Sequence, residues 1–133
     1  MKKYIYFLLI LAVISCSPNT EQKKVKESFN QLINSLKVED SQKIDTLVPF
    51  LKNTREGERN VFLTPFRELI NTNYKLDITK KSDNLYYIKV IVKDSNTIWS
   101  GIILPYQLNE EEEWVMAPII KVIQTYDIVP AKN

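Results

Sequence analysis

The chain has 133 residues, a formal net charge of +2, no histidine, one cysteine and two glycines. That inventory excludes Ser-His-Asp and Cys-His catalytic constellations, a histidine-ligated zinc site and a glycine-rich phosphate loop. A length of this order holds one hydrophobic core, and so small a net charge leaves no electrostatic footprint for nucleic acid.

Met1-Lys2-Lys3, the apolar stretch from Tyr4 to Ile14 and the small residue Ser15 follow the order of a secretory signal. The apolar run stops well short of the about 20 residues that a permanent membrane span requires. Val13-Ile14-Ser15-Cys16 holds the sole cysteine and resembles the lipobox of bacterial lipoproteins. The resemblance implies cleavage between Ser15 and Cys16, diacylglycerol in thioether linkage on Cys16, and acylation, typically with palmitate, of the new N-terminus. Residues 1–15 are then a signal peptide, 16–20 a lipidated tether and 21–133 a single domain. The membrane is the expected partner, through the lipid on Cys16. One buried acyl chain holds only marginally, at about 0.8 kcal/mol per methylene, so a two- or three-chain anchor is needed for stable attachment.

Loss of Lys2 and Lys3 with the signal brings the basic residues level with the 16 acidic ones. Lys23, Lys24 and Lys26 lie close to the lipid and add about 1 kcal/mol each toward anionic head groups; with Lys80-Lys81 they otherwise read as solvated faces. With Cys16 acylated the domain has no thiol for a disulfide, so its stability must come from packing.

From Glu21 to Lys37 the residues Val25, Phe29, Leu32, Ile33 and Leu36 recur at helical spacing, with Asn19 or Thr20 as cap. Asp40 or Ser41 opens a second helix carrying Ile44, Leu47 and Val48, which Pro49 ends or kinks. The two form a hairpin. Phe50 to Asn60 has no single period, and its charged residues suit an exposed helical turn. Thr64-Pro65 reads as an N-cap followed by proline at the first helical position of a third helix facing inward with Phe66, Leu69 and Ile70, the alternative being a helix kinked at Pro65.

After Asn71 the period changes to two. Tyr74, Leu76 and Ile78 alternate with polar residues; Ser82-Asp83-Asn84 is a turn; Leu85 to Lys93 is a second strand. Tyr86, Ile88, Val90 and Val92 share one face of it, and Tyr87, Lys89, Ile91 and Lys93 the other. Asp94-Ser95-Asn96 makes a turn, Thr97 to Tyr106 a third strand, Leu108 to Glu112 a charged loop. Glu113 to about Gln124 is a fourth strand bent at Pro118, and Tyr126 to Val129 is a candidate fifth.

The expected class is α+β, with N-terminal helices packed on a curved antiparallel sheet of four to five strands. The helix-rich first half, the acidic break at Glu39-Asp40 and the late strand opening with Glu113-Trp114-Val115 resemble the nuclear-transport-factor-two-like fold, or cystatin-like cone. That family includes ketosteroid isomerase and polyketide cyclase relatives and many small bacterial lipoproteins. The short strand it often places between helices two and three is not evident here. The resemblance implies a pocket between sheet and helices, with Tyr86, Trp99, Tyr106 and Trp114 as candidate lining residues that equally suit a core. The pocket Asp and Tyr of the isomerases match no position here, so no catalytic residue is assigned.

Glu110 to Glu113 offer carboxylates to a hard cation, but consecutive residues of an extended segment point to opposite faces and suit a solvated hairpin tip. No pattern joins Asp77 to Asp127 as an acid/base pair. No metal or other cofactor is expected. The composition favours a non-enzymatic envelope module that binds a protein, a peptide or a small apolar ligand. The alternatives are a small isomerase- or cyclase-like enzyme using Asp, Glu and Tyr, and an immunity or inhibitor lipoprotein. Ser17 after Cys16, in place of aspartate, points by lipoprotein sorting rules to the outer membrane facing the periplasm. In a cell with one membrane it points to the outer face of the cytoplasmic membrane. A Cys16→Ser variant is expected to incorporate no labelled palmitate and to keep its signal peptide, read by autoradiography and intact mass.

Overall fold

The computed structural model describes residues 20–93 and 98–118. The expected signal segment, Cys16, the expected turn at Asp94-Ser95-Asn96, the part of the expected fourth strand beyond Pro118, the Tyr126 to Val129 stretch and Asp127 lie outside the described residues. Helix α1 spans Thr20–Lys37, α2 Ser41–Leu47 and α3 Glu56–Glu68. Strands β1 (Tyr74–Ser82), β2 (Leu85–Val92), β3 (Ile103–Leu108) and β4 (Trp114–Met116) form an antiparallel sheet in sequence order. The protein is an α+β domain, three helices packed with an open four-stranded sheet.

The apolar stripe of α1 becomes the centre of the core: Val25, Phe29 and Leu32 are fully buried. They pack with the inward residues of the sheet, among them Ile88, Val90, Leu104 and Tyr106. Side chains alternate as β2 requires, with Tyr86, Ile88 and Val90 buried and Lys89 and Ile91 exposed. The register carries that face across the strands, pairing Ile78 with Ile88, Ile88 with Leu104, Tyr86 with Tyr106 and Tyr106 with Met116. Phe29 meets Tyr74 edge-on at 5.7 Å and Phe66 at 6.4 Å, so one ring joins α1 to both β1 and α3.

Side-chain hydrogen bonds fasten α1 to the two outer strands. Gln22 Nε2 donates to the Ile78 carbonyl at 3.3 Å and Tyr74 OH donates to Asn30 Oδ1 at 3.0 Å, both on β1. On β4, Ser28 Oγ donates to the Trp114 carbonyl at 2.8 Å and Trp114 Nε1 donates to Glu21 Oε2 at 2.8 Å. Arg59 on α3 pairs with Asp45 on α2 and donates to the Ser41 carbonyl at 3.4 Å, which joins the second and third helices.

The acidic break between α1 and α2 is a Schellman turn. Glu39 has φ 55°, Asp40 N donates to the Ser35 carbonyl at 2.9 Å and Glu39 N to the Leu36 carbonyl at 3.3 Å. Asp40 then caps α2 by accepting from Lys43 N at 3.1 Å. Pro49 stands at the start of a 3₁₀ turn, Pro49–Asn53, that follows α2.

Two expected boundaries move. The third helix does not begin at Thr64-Pro65 but at Glu56, so Phe50 to Asn60 divides into the 3₁₀ turn and the first part of α3. Pro65 lies inside the helix, where it removes the amide that would bond the Val61 carbonyl. Val61 itself is 75% exposed, on the outer side of the helix. Thr64, expected as a cap, instead donates its hydroxyl back to the Asn60 carbonyl at 2.7 Å. The expected strand from Thr97 starts only at Ile103, because Ile98–Gly101 is a 3₁₀ turn that drives Trp99 inward.

Glu39 holds a left-handed conformation that disfavours side chains with a Cβ. Glu39→Gly is therefore expected to raise stability by about 1 kcal/mol, measured as a higher denaturation midpoint at unchanged slope.

Candidate functional site

The four expected aromatic residues are all buried; Tyr86, Tyr106 and Trp114 are neighbours on β2, β3 and β4, and Trp99 lies elsewhere. Tyr86 and Trp114 meet edge-on at 5.1 Å beside the first turn of α1. Tyr106 is 1% exposed in the middle of the sheet, and its burial, with Tyr74 as a lesser cause, pushes its hydroxyl well above the usual tyrosine range. Trp99 stands apart, against Phe66 at 5.0 Å and 81°.

Trp99 is the one of the four that borders the main apolar openings. A cavity of about 380 Å³ lies between α3, the Pro49–Asn53 turn and the Ile98–Gly101 turn, walled by Phe50, Phe62, Phe66, Trp99 and Ile102. Phe50 and Phe62 meet edge-on at 5.2 Å, and Phe62 and Phe66 tilt together at 5.3 Å, which makes the wall a continuous aromatic surface. A shallower opening of about 670 Å³ adjoins it and shares Val61, Pro65 and Trp99. Its far side includes Leu69, Val92 and Ile98, and Val61 and Ile98 are exposed at the rim.

Both openings sit beyond one end of the sheet. Thr72 precedes β1, Val92 ends β2, Ile102 precedes β3 and Pro118 follows β4. The first turn of α1 sits at the other end, where Gln22 reaches Ile78 and Glu21 reaches Trp114. Chain entry and cavity are thus at opposite ends of the strands.

Polar groups around the cavities are few. Thr54, Thr64 and Thr72 each donate their hydroxyl to a backbone carbonyl three or four residues earlier. Glu58 and Glu68 are the ionisable residues on the walls, and both are exposed. Among the described residues the buried polar side chains are Ser28 and Ser35, and no group of acidic residues is arranged to hold a metal. The glutamate run closes a hairpin: Asn109 Oδ1 accepts from Glu111 N at 3.0 Å and Glu113 N at 2.8 Å, and Glu112 turns left-handed.

The sequence holds only a partial clue to Trp99: an apolar Ile98-Trp99 pair before Ser100-Gly101 suits a strand as well as a turn. Phe50 and Phe62 were not among the expected pocket residues. They belong to two elements whose meeting depends on where α3 begins.

Glu21 has its carboxyl held below the ordinary 4.5 chiefly by the Trp114 indole, with burial opposing and Lys24 assisting. A depressed carboxyl stabilises the fold above its unfolded pKa and loses that contribution as pH falls through the folded value. Glu21→Gln is expected to be less stable than the parent at neutral pH, and the difference is expected to close as pH falls below 4.5, read by thermal melts.

No protein-family model, curated protein or solved structure matches the chain.

Proposed function

We propose that the chain is a lipid-anchored envelope lipoprotein whose α+β domain is a binding module, with the aromatic cavity beside Trp99 as its binding site. The Val13-Ile14-Ser15-Cys16 motif supports the anchor, and the cavity carries the binding role. Its about 380 Å³ falls in the range of small-molecule sites, which are concave, mostly apolar and fixed by a few polar groups. An aromatic wall left open at a sheet end suits an apolar ligand or an apolar side chain of a peptide.

The polarity of the domain supports the same reading. Thr20 begins α1 four positions after Cys16, and the cavities lie at the opposite end of the strands. A lipid on Cys16 then holds the α1 end at the bilayer and turns the cavity toward the aqueous compartment. The likeness to the cystatin-like cone, which many small lipoproteins share, is consistent with a pocket formed between helices and sheet.

Exposed Val61 and Ile98 beside Glu68 also give this face an apolar rim edged by charge, the feature that an inhibitor or immunity lipoprotein would use against a protein neighbour. An isomerase-like role would need a buried carboxylate near a tyrosine, and the buried polar side chains among the described residues are the two serines.

The full chain held in nanodiscs, with protein-free discs as the partition blank, tests the cavity. Titration with 2-methyl-1-decene is expected to shift the ¹⁵N-indole resonance of Trp99 to saturation. Val61→Glu adds a charge at the shared rim on an exposed position, and it is expected to weaken that binding roughly tenfold with no change in melting temperature. No saturable shift, or equal binding by the variant, would overturn the site.

A further inference from the structure

We infer that the Trp99 cavity takes a neutral, largely apolar molecule carrying one carbonyl-type hydrogen-bond acceptor, which the Trp99 indole N–H engages. The inference rests on the proposed reading of this cavity as the binding site and names the ligand chemistry for it.

Three observations carry it. Trp99 is 2% exposed, and its Nε1 is buried with no acceptor; among the described residues it is the buried side-chain donor left unmatched. Buried polar groups in folded proteins are nearly always paired, and an exception calls for a physical reason. The indole packs against the Phe66 ring at 5.0 Å and 81°, within the aromatic wall of the cavity. Nε1 has almost no accessible surface in this structure, so on this inference the acceptor is carried by a molecule whose entry into the cavity displaces part of the wall.

The other donors around the cavity are already used. Thr54 donates to Leu51, Thr64 to Asn60 and Thr72 to Glu68, at 2.6, 2.7 and 2.7 Å. The indole N–H is thus the available side-chain donor among the described wall residues. A single donor in an apolar wall selects for a single acceptor on an apolar body, because a second polar group on the ligand would be buried without a partner.

Charge fixes the remaining choice between a carbonyl and a carboxylate. The ionisable wall residues are Glu58 and Glu68, with no lysine or arginine among the described ones. Among the described wall residues an anionic head would meet like charge and no counter-ion, whereas a ketone, ester or amide carbonyl would not meet that repulsion. A neutral acyl ester or an apolar ketone fits; a free fatty acid in its ionised form does not.

The test uses the full chain in nanodiscs and three probes of one length: 2-decanone, its isostere 2-methyl-1-decene, in which a methylidene replaces the carbonyl oxygen, and decanoate at neutral pH. The ketone is expected to bind about five- to tenfold more tightly than the alkene and to move the Trp99 indole proton downfield, as hydrogen bonding does. Decanoate is expected to bind more weakly than the ketone. Trp99→Phe keeps a ring against Phe66 and deletes the N–H; it is expected to bind ketone and alkene equally. The comparison within the parent chain stands even where that variant does not fold. Equal binding of ketone and alkene by the parent, with the indole proton unmoved, would overturn the inference while leaving the cavity as a binding site. Tighter binding of decanoate would overturn the neutral-ligand assignment. Binding of none of the three would overturn the site reading itself.

Discussion

The structure depends on α1 lying across the sheet and holding both of its outer strands. Phe29, fully buried, touches rings from β1 and α3, while Gln22 and Asn30 reach β1 and Ser28 and Glu21 reach β4. A four-stranded sheet with one face buried has little stability without a layer over that face. Here one helix supplies most of the layer, and its polar residues satisfy groups on the strands it covers. The buried Ser28 bond to the Trp114 carbonyl ties the last described strand to the first helix.

That arrangement leaves α3 in a different role. It packs on α1 through Phe66 and is joined to α2 through Arg59, while its outer residues Val61 and Pro65 border both openings. The Pro49–Asn53 turn reaches one side of it with Phe50 and the Ile98–Gly101 turn the other with Trp99. Neither turn fills the space beyond the sheet end, and the aromatic cavity is what remains between them. Proline within α3 places a ring without an amide on the wall shared by both openings, so the wall there offers no backbone donor at that position. On the proposed reading, one unpaired indole N–H beside three hydroxyls already bonded to carbonyls would make the site specific in a narrow sense, taking apolar bulk and discriminating by a single hydrogen bond.

Much of the fold was legible because periodicity reports burial directly. The stripe Val25, Phe29, Leu32, Ile33 and Leu36 is the buried face of α1, Asp40 is the cap of α2, and Tyr86, Ile88 and Val90 point inward as their parity requires. The misread boundaries have a common cause. Thr64-Pro65 has the local chemistry of a helix start, yet Phe62 and Leu63 before it are held helical by packing against Phe50 and the core. Ile98 and Trp99 have strand-forming side chains, yet a 3₁₀ turn buries the large indole and leaves Ile98 exposed. Local propensity gave way to tertiary packing in both.

The sequence by itself determined the class of the domain, the order of its helices and strands, the absence of histidine chemistry and the motif at Cys16 on which the proposed anchor rests. These follow from composition and from the spacing of apolar residues, which neighbours in the chain already set. Only the tertiary structure decided that Tyr86, Trp99, Tyr106 and Trp114 do not share one pocket. It also decided that Phe50 and Phe62 join Trp99 around a cavity and that this cavity lies at the sheet end away from the start of α1. Those outcomes depend on which residues distant in sequence come together, and on whether a buried donor finds an acceptor when they do. Periodicity records which side of an element is covered; it carries no record of what covers it.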